Sequence, residues 1–175
     1  MNEIIKKNAI PFGITLGLLS VLITGFIYVF DINLFLSGWV TFFKVIIYSA
    51  IIILLLNKTK KELGGFMSFK EAFTTFFYAA ALGIIIATSF DIVLFNLIDP
   101  SLKDSLKEIT INFTVELLEK FKTPTSEIKK AVEEIKNTDQ FSVLQQIKGL
   151  FTYFLISAIF GLVFSAIFKK NKPVF

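Results

Sequence analysis

Two ionisable side chains, Lys44 and Asp91, interrupt stretches that are otherwise apolar. A charge in such surroundings is costly unless it is paired, reaches water or serves a substrate. Lys44 with Asp31 or Asp91 could form an ion pair, or the polar step of a small carrier. A proton or ion path normally runs through a chain of acids or histidines at mid-depth. The 175-residue sequence has no His, no Cys and no Arg, and all 18 of its basic residues are Lys. That removes the usual general base and the commonest metal ligand. It also removes thiolate nucleophiles, disulfides and zinc–thiolate sites. No catalytic, cofactor-binding or metal-ligating residue is expected. The structural reading of Lys44 is a snorkelling side chain paired near the membrane rim.

The elements that carry these residues follow from composition. Hydrophobic residues make up 54% of the chain and charged residues 18%, with a mean hydropathy of +0.72. A soluble domain carries roughly 25% charged residues, so the apolar excess predicts an integral membrane protein and excludes disorder. Four stretches reach the roughly 20 residues that a helical span needs: about 9–30, 36–56, 70–98 and 147–168. Lipid offers backbone groups no other partner, so each must be a helix. The first is longer than the 7–15-residue core of a signal peptide and reads as an uncleaved span. Pro11 falls in its first turn, where a missing N–H costs little. The fold class is all-α: a four-helix membrane bundle, residues 1–175 forming a single domain. An extramembrane amphipathic helical hairpin at about 99–146 is inserted between the third and fourth spans.

Orientation follows the lysines, which concentrate on the cytoplasmic side. Lys6 and Lys7 precede the first span, Lys58, Lys60, Lys61 and Lys70 separate the second from the third, and Lys169, Lys170 and Lys172 follow the fourth. Both termini are therefore expected in the cytoplasm, with 99–146 on the far side. Depth counted at about 1.5 Å per residue from the basic ends puts Lys44 roughly 18–20 Å up and Asp91 about 30 Å up. The basic clusters also attract anionic lipid headgroups. Nothing in the sequence supplies the groove-reading face that nucleic acid requires.

Small residues recur four apart in three spans: Gly13 and Gly17; Ala79, Gly83 and Ala87; Ser157, Gly161 and Ser165. Such stripes let helix backbones approach closely in lipid. Packing within the bundle is the expected use, and a homo-oligomer seam is the alternative.

In the segment between the third and fourth spans, Leu102, Leu106, Ile109, Phe113, Leu117 and Phe121 recur at steps of three and four, forming one apolar stripe. Asp99-Pro100 and Thr123-Pro124 are the expected helix starts. The second helix offers only Ile128, Val132 and Ile135 in return. The two stripes can satisfy each other and the membrane rim, or lie in the interface. The imbalance favours a docking surface made of Leu106, Ile109, Phe113, Leu117 and Phe121.

The loop after the second span is the most patterned stretch. Gly64-Gly65 provides a turn. Ser68 and Glu71 form a capping box, so the third helix should start at Ser68. The double glycine lacks the GxxxxGK[ST] frame of a phosphate loop.

Three motifs carry a family resemblance. They are Gly64-Gly65-Phe66-Met67-Ser68-Phe69-Lys70-Glu71-Ala72-Phe73, Phe95-Asn96-Leu97-Ile98-Asp99-Pro100, and a last helix ending in Lys169-Lys170-Asn171-Lys172-Pro173 after a Glu-rich hairpin. With them, and over nearly its whole length, the chain resembles the DUF4199 family of small uncharacterised membrane proteins, found mainly in Bacteroidetes. The resemblance implies a bacterial inner membrane, multi-pass, with the hairpin in the periplasm. It brings no catalytic residue or cofactor. It does imply an accessory role beside an inner-membrane partner, with a glycosyltransferase as the candidate. The expected function is thus a non-enzymatic scaffold or accessory subunit of a membrane complex, contacting lipids and a protein partner. The alternative is a small carrier or lipid-handling protein using Lys44 with Asp31 or Asp91.

Overall fold

The structure is a computed structural model that describes residues 2–172. Pro173, the last residue of the family-like tail, lies outside the described residues. Among the described residues the protein is all-helical, with six α-helices and no strand. They are α1 (Glu3–Phe30), α2 (Gly38–Glu62), α3 (Phe69–Val93), α4 (Leu102–Lys120), α5 (Thr125–Asn137) and α6 (Val143–Phe168). A 3-10 turn, Ile32–Leu36, joins α1 to α2, and α3 runs on through a π-helical turn, Leu94–Ile98. Four helices are long and apolar enough to cross a membrane: Glu3–Phe30, Gly38–Glu62, Phe69–Ile98 and Val143–Phe168.

The helices extend past the apolar stretches because lysine and glutamate are good helix formers. At the start of α1, the Asn2 side chain accepts the Ile4 N–H at 3.0 Å. Pro11 therefore stands in the third turn and not, as expected, in the first. It leaves the Lys7 carbonyl without its usual i+4 donor. The capping box forms as expected. The Ser68 hydroxyl accepts the Glu71 N–H at 3.2 Å, and Glu71 Oε2 accepts the Ser68 N–H at 2.7 Å.

Helices α1 and α3 run side by side in the same direction, since Gly13 meets Ala79 and Gly17 meets Ile86. A Cβ on Gly83 would lie 3.0 Å from the Leu16 Cβ, so the two backbones touch where side chains would otherwise hold them apart. Helix α6 runs back along α3, with Gly161 against the Phe76 ring, which stacks on Phe164. Helix α2 is buried only near its C-terminal end, through Ile52, Leu55, Leu56 and Thr59.

Two cores result. One sits at the basic end, around Ala9, Leu16, Leu55, Leu56, Met67 and Phe76. There the left-handed Gly64 and Gly65 (φ +81° and +83°) turn the chain from α2 into α3. Met67 and Lys170 exchange backbone hydrogen bonds of 2.9 and 2.7 Å, and Lys60 Nζ donates to the Phe168 carbonyl at 3.0 Å. The second core sits at the far end and joins Leu94, Phe95, Leu102 and Leu106 to Tyr28, Ile32 and Phe35. Helix α4 packs against α5 and against the 3-10 turn. Its C-terminus is closed by Lys122 at φ 56°, with the Thr123 N–H donating back to the Leu118 carbonyl. That is a Schellman ending in which lysine occupies the position glycine usually takes.

Candidate functional site

Between the two cores lies a polar layer. Helix α2 continues to Glu62, so Lys44 stands about 27 Å from the C-terminal end of its helix. Asp91 stands about 33 Å from the start of α3, so the two are nearly level. They carry opposite charges on two helices that pack against each other. Among the described residues, neither takes part in an ion pair within 4.0 Å. Tyr48, one turn from Lys44, places its hydroxyl 2.8 Å from Ser20 Oγ on α1. Ser20 Oγ already donates to the Leu16 carbonyl at 3.0 Å, so the shared proton comes from Tyr48. Helices α1, α2 and α3 thus each contribute a polar group at this depth.

Asp31 is not part of the layer. It is exposed, and its Oδ1 accepts the backbone N–H and the side-chain amide of Asn33 at 2.9 and 2.8 Å, opening the 3-10 turn. Of the two acids considered as partners for Lys44, Asp91 is the one that stands near its level inside the bundle.

A second polar cluster, missed in the sequence, lies where α3 ends. The Asn96 amide donates to the carbonyls of Ile92 and Phe141 at 2.9 and 3.2 Å. Its Oδ1 accepts Lys103 Nζ at 2.7 Å, and the same ammonium reaches Asp139 Oδ2 at 3.3 Å. Asn96 sits in the π-helical turn, whose wider winding leaves carbonyls to be satisfied by side chains. The only sequence signal was an amide and a lysine seven apart flanking Asp99-Pro100. Asp99 itself accepts hydrogen bonds from Ser101 and Tyr28, and the Ser101 hydroxyl foremost holds its carboxyl below the usual carboxylate range. α4 begins two residues after Pro100, so Asp99 organises the turn before the helix and does not cap it from the expected position.

The apolar stripe of α4 divides. Leu102 and Leu106 are 5% and 3% exposed and belong to the far-end core, which corrects the expectation that Leu106 is open to a partner. Ile109 is half-buried against the same core. Phe113, Leu117 and Phe121 are 44%, 41% and 75% exposed. Helix α5 leaves them uncovered and buries only Ile135 of its own stripe.

Of the small residues, Gly13, Gly17, Ala79 and Gly83 form the α1–α3 contact, and Gly161 faces Phe73 and Phe76. Ser165 is buried, its hydroxyl bonded to the Gly161 carbonyl. Ala87 and Ser157 are half-buried, and the Ser157 hydroxyl has no partner among the described residues. Among those residues no three His, Cys, Asp or Glu side chains gather as a metal site.

Residues 11–170 match the model of a family described as "Protein of unknown function (DUF4199)". No curated protein and no solved structure matches the chain.

Proposed function

We propose that this chain, which belongs to the DUF4199 family, is a non-enzymatic accessory subunit of a bacterial inner-membrane complex. In this reading the four spans form a bundle with both termini in the cytoplasm. α4 and α5 form a periplasmic hairpin, and the open half of the α4 stripe docks a second integral membrane protein. The observation that carries it is the division of that stripe. Its first half is sealed into the far-end core, which fixes the helix, while Phe113, Leu117 and Phe121 remain uncovered. A rigid helix presenting aromatic and aliphatic anchors is how interface energy is usually concentrated. The reading is also supported by where the polar groups are spent: Asp31, Glu71 and Asp99 organise helix starts, and Lys103 bridges Asn96 to Asp139.

The experiment is site-specific photo-crosslinking in native membranes from Phe113, with Lys129 on the polar face of α5 as control. A discrete adduct with another integral protein from Phe113 alone, lost on Leu117→Glu, is expected. Adducts to lipid only, or to a second copy only, overturn the reading.

A carrier is the second reading, favoured by the similar heights of Lys44 on α2 and Asp91 on α3. Lys44→Met keeps the stem and removes the charge. Complete loss of the associated phenotype at normal protein level would favour the carrier over the accessory subunit.

A further inference from the structure

We propose that a cleft at the basic end of the bundle binds the phosphate group of an anionic lipid. The inference rests on the spans lying in a membrane and is independent of the docking surface at the far end. The cleft has a volume of about 340 Å³ and lies between the α2–α3 turn, the start of α3 and the residues that follow α6. That is within the roughly 300–1,000 Å³ of ligand pockets. Its lining divides by chemistry. Leu63 and Phe66 form an apolar wall, and Lys170 and Lys172 supply the cations, with Asn2 and Asn171 beside them. An amphiphile at the membrane surface needs both: a cation for the phosphate and an apolar wall for the glycerol and first methylenes.

Lys170 is held in place for this. Its backbone is pinned to Met67 by two hydrogen bonds, and its ammonium lies 5.3 Å from the centre of the Phe66 ring. Glu71 also lines the cleft, but its Oε2 already accepts both the N–H and the hydroxyl of Ser68, at 2.7 and 2.8 Å. The surroundings are strongly basic: segments 3–7, 58–71 and 169–172 carry nine lysines against three glutamates. Such an excess draws anionic headgroups to this end, and the cleft gives one of them a fixed seat.

The test uses the full chain in nanodiscs of zwitterionic phosphatidylcholine doped with phosphatidylglycerol, reading thermal stability and the number of lipids retained by native mass spectrometry. Phosphatidylglycerol should raise the melting temperature and leave one lipid bound. The double variant Lys170→Gln/Lys172→Gln should weaken that binding by about a hundred-fold, through loss of direct charge-assisted hydrogen bonds to the phosphate. The control Lys61→Gln/Lys169→Gln removes the same charge from the same end outside the cleft lining and should retain it. Equal losses in the two double variants would mean diffuse attraction and overturn the site, as would the absence of any phosphatidylglycerol effect. An equal stabilisation by inorganic phosphate alone, in phosphatidylcholine, would keep the phosphate chemistry but overturn the lipid as its source. Circular dichroism of both variants separates loss of binding from loss of fold.

Discussion

Gly17 lies so close to Ile86 that a Cβ built on it would stand 2.6 Å from the isoleucine Cβ. No flexible chain end can swing away there, because the atom it meets is fixed to the α3 backbone. Gly17→Ala should therefore push α1 from α3 and cost about 1–3 kcal/mol, the usual range for overpacking. Gly25, in the same helix, has nothing within 4 Å of its virtual Cβ. Gly25→Ala should be neutral, or stabilising by roughly 0.5–1 kcal/mol. Thermal unfolding in mild detergent reads both, and equal effects would show that the α1–α3 seam does not form.

The capping box gives a second test. Ser68→Ala removes the acceptor for the Glu71 N–H and should cost about 0.5–2 kcal/mol. Glu71→Ala leaves the Ser68 N–H and hydroxyl without their acceptor and should destabilise by a similar amount. The double variant should cost less than the sum, since both changes break one reciprocal motif. Full additivity in the same unfolding assay would mean the box is not formed.

Asn96 and Lys103 tie α4 and the α5–α6 connection to the end of α3. Asn96→Leu removes three hydrogen bonds at one stroke and leaves a half-buried ammonium with a single partner. It should cost about 1–3 kcal/mol and loosen residues 102–142 first. Hydrogen exchange should show faster exchange in α4 and α5 with α1 and α3 unchanged. Uniform loss of protection across the chain would contradict a local clamp.

Asp99 provides a pH signature. Its folded-state pKa lies below the ordinary 3.8, chiefly through the Ser101 hydroxyl. Its contribution to stability is therefore present in full above the unfolded pKa and is lost as pH falls through the folded one. Asp99→Asn should be less stable than the parent at pH 6, and the gap should narrow below about pH 4. A gap that stays constant on acidification would show that the Asp99 carboxylate is not held by these bonds.

Orientation can be tested directly. Single cysteines at Lys60 and Lys130, probed with an impermeant thiol reagent on intact spheroplasts, should label at 130 and not at 60. The reverse pattern would invert the arrangement expected from the lysines.

The sequence by itself determined the four spans, because a helix is the only way to satisfy an apolar backbone in lipid and its length is read from composition. It also determined the start of α3, because a capping box is made of residues three apart. Local chemistry of this kind needs no knowledge of the rest of the chain. It could not show how far helices run past the apolar stretches, and so it set Pro11 in the wrong turn. Only the tertiary structure decided which small residues meet which helix, since Gly13 finds Ala79 across 66 positions of sequence. Only the tertiary structure divided the α4 stripe as well. Leu106 and Phe113 have the same helical spacing and apolar character, and what separates them is that the far-end core reaches one and stops short of the other. Burial depends on where other elements end, and periodicity within one element does not encode that.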